Sequence, residues 1–134
     1  MWQQVQLKNA GNSKAKQAKN AEFAALLDIA HARGIQAGRD CRPIPMVVST
    51  ASGIEIECID DGACGFAWIV ISGNTAFGRW AKKQGRARAH YPRGLCFWVS
   101  DFGQSVDRKS AYAGAFAQVL RNAGIEAYAD SRLD

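Results

Sequence analysis

The residues with most chemistry to offer lie between Arg79 and Arg93, where Arg79, Lys82, Lys83, Arg86, Arg88 and Arg93 follow one another with no acidic residue among them. Cations at this density neutralise phosphates and release their counterions. Trp80, His90 and Tyr91 are interleaved with them and offer faces on which unpaired bases can stack. The bland alternative is a solvated helix end and loop, with Trp80 on a core face. A second acid-free tract, Lys8, Lys14, Lys16 and Lys19, precedes the first acid, Glu22. Together the two tracts carry ten positive charges in a chain of net charge +5, so the remainder is net negative. This bipolar distribution points to a polyanionic partner. It names Lys14, Lys16, Lys19, Arg79, Lys82, Lys83, Arg86, Arg88, Tyr91 and Arg93 as candidate nucleic-acid contacts.

Carboxylates point only weakly to catalysis. Glu55 and Glu57 share a strand face, Asp60 and Asp61 lie in a turn, and Asp101 ends a strand, where α/β folds often keep catalytic groups. A small metal-dependent hydrolase or nuclease built on Asp101 is the least supported reading. Phosphate-loop, nucleophile-elbow and H-E-x-x-H motifs are all missing, and no catalytic residue is assigned. His31 and His90 have no readable partner. Cys41, Cys58, Cys64 and Cys96 lie in or beside apolar runs without C-x-x-C spacing, which predicts buried, reduced, metal-free thiols. A zinc set of Cys58, Cys64, His90 and Cys96 has no specific spacing in its favour. The sequence calls for no cofactor. At the C-terminus, Arg132 and Asp134 can join Asp101 and Arg108 in a fixed polar cluster, the alternative being a frayed tail.

The elements that position these groups follow from periodicity. Residues 1–19, rich in Gln, Asn, Lys, Ser and Ala without an apolar period, read as a basic flexible arm. Asn20 caps a helix from about Ala21 to Ala37, with Phe23, Leu26, Leu27 and Ala30 on one face. Pro43 and Pro45 force the next stretch to be extended, leaving Met46–Val48 as an edge strand or strap. Ile54, Ile56 and Cys58 alternate with Glu55 and Glu57 as a strand, which a turn at Asp61–Gly62 joins into a hairpin with Phe66–Ile71. That second strand is a continuous apolar run and is expected at the centre of the sheet, covered on both faces. Asn74 caps a short helix with Phe77, Trp80 and Ala81 on one face and Gly85 after it, and Arg86–Arg93 reads as a loop. Leu95–Val99 is a second buried strand beside the first. Ser105 opens the strongest helix, with Tyr112, Phe116, Val119 and Leu120 in its stripe, and Ile125–Ala129 forms a last strand.

The length of 134 residues suits one hydrophobic core. The expected architecture is α/β (α+β): residues 20–134 form one domain, a mixed sheet of four to five strands with about three helices, behind the arm 1–19.

Several stretches carry a resemblance: Cys64-Gly65-Phe66-Ala67-Trp68-Ile69-Val70, Phe77-Gly78-Arg79-Trp80-Ala81-Lys82-Lys83, Gly94-Leu95-Cys96-Phe97-Trp98-Val99, and the terminal Ser131-Arg132-Leu133-Asp134. Over residues 22–134 the chain resembles a group of small proteins encoded by tailed bacteriophages and prophages. The resemblance implies a phage gene product and carries over no site.

The expected function is therefore that of a phage-encoded accessory protein, non-enzymatic, that binds nucleic acid through the arm and the basic loop. The alternative is a protein-interaction role, as a virion component or as an inhibitor of a host or defence protein. No stretch reaches the ~18 consecutive apolar residues of a membrane span, and the N-terminus lacks the order of a signal peptide. The expected location is the cytoplasm of the bacterial host, or the virion, with no membrane partner.

Overall fold

The computed structural model describes residues 2–49, 55–59 and 61–134, and the side chains of residues 13–45 and 61–134. Its first helix, α1 (Trp2–Asp40), runs without interruption through the segment expected to be an irregular arm. Ala, Lys and Gln are good helix formers. Once Phe23, Leu27 and Ala30 anchor the C-terminal half in the core, adding turns N-terminally needs no new nucleus. Asn20 consequently lies inside the helix and does not cap it. Residues 13–19 are nonetheless exposed throughout, so this part of α1 adds nothing to the core.

The strap forms β1 (Met46–Ser49), which pairs antiparallel with β2 (Glu55–Ile59). This corrects the expected hairpin between β2 and β3 (Gly65–Ile71). Both edges of β3 are already taken, by β5 (Leu95–Trp98) on one side and β6 (Ala127–Leu133) on the other. The Asp61–Gly62 turn is instead tied to the start of α3 (Val106–Asn122): the Ser105 hydroxyl donates to the Asp61 carbonyl at 2.7 Å, and the Val106 N–H donates to Ala63 at 3.0 Å. Ser105 is the N-cap of α3, as the sequence predicts.

The main sheet has four strands in the order β4-β5-β3-β6, all antiparallel, with β4 (Arg88–Ala89) as a short edge. The connection β3–α2–β4 skips one place in the sheet, which β5 then fills, and α3 leads to β6 at the far edge. This is the split β-α-β arrangement, with α2 (Ala76–Lys83) and α3 as its two connecting helices. Thr75, one residue after the expected Asn74, caps α2: its hydroxyl accepts from the Gly78 N–H at 2.9 Å. The expected loop after α2 instead contributes β4.

The helices cover one face of the sheet. Ala67, Ile69 and Ile71 of β3, Leu95 and Phe97 of β5, and Ala127 of β6 pack there with Phe23, Leu27 and Ala30 of α1, Phe77 and Ala81 of α2, and Tyr112, Phe116 and Leu120 of α3. Each large apolar side chain buried there is worth about 1.5–3 kcal/mol. α1 lies close on α3: a Cβ at Gly34 would come within 2.6 Å of the Tyr112 ring. Arg108 of α3 donates to the carbonyls of Gly38 and Arg39 at 2.8 and 3.2 Å, satisfying two of the acceptors left open at the α1 C-terminus.

Candidate nucleic-acid interface

In a strand, successive side chains point to opposite faces, so the residues between the core positions define the helix-free face. On β3 these are Phe66, Trp68 and Val70; on β5, Cys96 and Trp98; on β6, Tyr128, Asp130 and Arg132; on β4, Arg88. Register sets Trp68 directly opposite Trp98 across β3 and β5, and Phe66 opposite Arg132 across β3 and β6. The indoles of Trp68 and Trp98 are parallel to within 3°, with centroids 5.7 Å apart, and the Phe66 ring lies 5.5 Å from Trp98. Three aromatic rings on the two central strands thus form one platform. Trp98 is 38% exposed and Tyr128 53%.

Cations complete the platform. The Arg88 guanidinium lies 5.2 Å from the centroid of Trp98, and Arg132 lies 5.4 Å from that of Phe66. His90 stands 6.2 Å from Trp68. Lys109, buried on α3, reaches the same end of β3: its Nζ donates to the Gly65 carbonyl at 3.2 Å and lies 5.4 Å from the Phe66 ring. Among the described residues it has no carboxylate within ion-pair distance. The Trp68 indole N–H is also buried without an acceptor among the described residues. Leaving such a donor unmet costs about 1–3 kcal/mol. Asp130, whose carboxylate accepts from the Ser131 N–H, is the one acid that the register places on this face.

The basic tract is distributed around the β4 edge. Arg79 is spent locally, donating to the Asn74 carbonyl at 2.8 Å. Lys82 and Lys83 are exposed in the last turn of α2, Arg86 and Arg93 are exposed in the connections flanking β4, and Arg88 turns onto the aromatic platform. Tyr91 is 91% exposed beyond β4. Trp80 belongs to the helix layer, packed on Phe23 and Phe77, as the bland reading of that residue has it. In α1, Lys14 and Lys16 are exposed, while Lys19 lies 3.6 Å from Glu22 and over the Phe23 ring.

The four residues of the expected C-terminal cluster do not converge on one another: among the described residues no ion pair joins any two of Asp101, Arg108, Arg132 and Asp134. Arg108 pairs with Asp61 at 3.3 Å, Arg132 joins the aromatic face, and the Asp134 N–H donates to the Cys64 carbonyl at 3.0 Å. The tail is held, because β6 extends to Leu133 against Gly65.

Among the described cysteines, Cys41, Cys64 and Cys96 form no disulfide, and only Cys96 is buried; Cys64 is exposed, contrary to expectation. Cys58 lies outside the described side chains. Cys64 immediately precedes β3, whereas Cys96 sits opposite Val70, about 20 Å further along that strand at ~3.3 Å per residue. Those two thiols cannot share one metal. No group of three or more potential metal ligands occurs among the described residues. A groove of about 680 Å³ between α1 and α2 is lined by Phe23, Leu26, Phe77 and Ile125, with Lys19 and Glu22 beside them. Its ion pair, Lys19–Glu22, joins two exposed side chains one turn apart on α1. In the core, the Tyr112 hydroxyl hydrogen-bonds with His31 Nδ1 at 2.6 Å; burial, aided by the Asp101 charge and opposed by Arg86, pushes its pKa up to about 12.

Sequence reasoning missed the platform because it read Phe66–Ile71 as covered on both faces. The signal was a second alternation within the apolar run: aliphatic or small residues at 67, 69 and 71, aromatic residues at 66 and 68, and Phe97 inward beside Trp98 outward. Comparison with protein-family models, curated proteins and solved structures gives no match. The split β-α-β connectivity recurs in proteins of unrelated function and assigns none here. No described helix is long and apolar enough to cross a membrane.

Proposed function

We propose that the protein binds nucleic acid without catalysis, as a phage-encoded accessory factor working in the host cytoplasm. The observation that carries this reading is the position of Arg88. It lies in the middle of the acid-free tract and stacks on Trp98, so the positive strip on α2 continues around the β4 edge onto an aromatic face. Phosphates take the cations and base faces take the rings. The exposed lysines of α1 add a second, sequence-independent source of attraction.

The test is the double reversal Arg86→Glu/Arg88→Glu, with binding followed by fluorescence anisotropy at two salt concentrations. Affinity should fall for all sequences alike, because phosphate contacts position a protein without reading bases. The salt dependence should become shallower as counterion-releasing contacts are lost. The melting temperature should hardly change, since exposed charges contribute little to stability. Binding untouched by the reversal would defeat the proposal.

One observation favours a protein partner as the second reading. Residues 13–19 are helical yet exposed throughout, and a polar helical segment of this kind gains most when another surface packs against it.

A further inference from the structure

We infer that the helix-free face takes a single strand with unpaired bases. The inference rests on the nucleic-acid reading above and names its substrate class.

A duplex keeps its base faces inside its own stack and shows a protein only phosphates and base edges. Aromatic rings on a sheet face have little to offer it. A single strand exposes the faces themselves, and every base has one, so aromatic side chains hold it with little regard to sequence. Here the rings belong to the two central strands of an antiparallel sheet whose helices lie on the other side; Trp68 and Trp98 stack on each other, and the ring faces a base can take are those that Arg88 and Arg132 now cover. A four-stranded sheet that carries aromatic side chains on its open face can stack two or three bases.

The side chains around the rings suit that ligand. Arg88 and Arg132 stand over Trp98 and Phe66 at opposite ends of the platform. Each guanidinium can move from ring to phosphate while its place on the ring passes to a base, so binding exchanges one stacked partner for another. Lys109 adds positive charge at the Phe66 end without an ion-paired carboxylate among the described residues. The buried Trp68 N–H lacks an acceptor among the described residues, one that a base oxygen or ring nitrogen can supply when the rings part. Charge complementarity therefore singles out a polyanion with planar groups from the other occupants of an apolar sheet face, a second copy of this chain or an apolar peptide.

The experiment compares an oligothymidylate, an oligouridylate and a duplex of equal length by fluorescence anisotropy with the full chain at low salt. At least one single strand should bind about tenfold or more tightly than the duplex, the worth of one good base stack. Trp98→Leu should remove that preference, and Trp98→Phe, which restores a ring, should recover most of it. Circular dichroism melting checks that both variants fold; if Trp98→Leu does not, the Phe variant together with Arg132→Ala carries the test, the latter again weakening the single strand more than the duplex. Equal affinity for duplex and single strand, or a preference indifferent to all three substitutions, overturns this inference and leaves the nucleic-acid reading standing. No binding of any probe at low salt sinks both.

Discussion

The two faces of the four-stranded sheet are built from alternate residues of the same strands, yet they follow different rules. Toward the helices, β3 and β5 present Ala67, Ile69, Ile71, Leu95 and Phe97, all 7% exposed or less. Away from them, the same strands present Phe66, Trp68 and Trp98 under two guanidinium groups, beside Val70 and Cys96, which are buried at 5% exposure each. Aliphatic side chains on the inner face meet shape with shape and remove area from water. Rings capped by arginine on the outer face hold flat π-surfaces in place, at modest gain, with a polar tip ready to leave. The first face is organised for stability and the second for exchange of partners.

Substitutions at two successive residues of β5 set the faces against each other. Phe97→Ala opens a cavity among Phe77 and Phe116 and should cost about 3–5 kcal/mol of stability in urea unfolding. Trp98→Leu, next to it, gives up ring contacts at a partly exposed site and should cost about 1–1.5 kcal/mol. If Trp98→Leu costs as much as Phe97→Ala, the outer face is a second core and the contrast fails.

A smaller effect sharpens the inner side of the comparison. Tyr112 keeps its proton to about pH 12 in the fold, against an ordinary value of 10.0. Between those two values the unfolded chain has released this proton while the folded chain holds it. The stabilising contribution is therefore complete below pH 10 and is lost as pH rises toward 12. Tyr112→Phe should make the alkaline fall in stability less steep across that window, while costing about 1 kcal/mol at neutral pH through loss of the bond to His31. An unchanged alkaline slope would show that Tyr112 does not carry it.

Local signals made much of the fold legible. The α3 cap at Ser105, the stripe from Tyr112 to Leu120, the pairing of Phe66–Ile71 with Leu95–Val99 and the left-handed Gly85 after α2 all follow from spacing and residue type. Non-local competition hid the rest. The β2 strand lost its place beside β3 because β6, distant in sequence, pairs with all of β3 from Gly65 to Ile71. Residues 2–19 lack an apolar period, yet they continue a helix nucleated elsewhere. The basic half of the candidate site was visible as an acid-free run. Its aromatic half was not, because a continuous apolar strand does not say which of its faces a helix will cover.

The most direct test follows the indole N–H resonances of the four tryptophans while an oligothymidylate is added to the ¹⁵N-labelled protein. Trp80 is an internal control, packed between Phe23 and Phe77 on the helix side of the sheet. The account predicts that the Trp68 and Trp98 signals shift together and saturably while Trp80 stays in place. A saturable shift of Trp80 with Trp68 and Trp98 unmoved, or binding that perturbs none of the three, would contradict it.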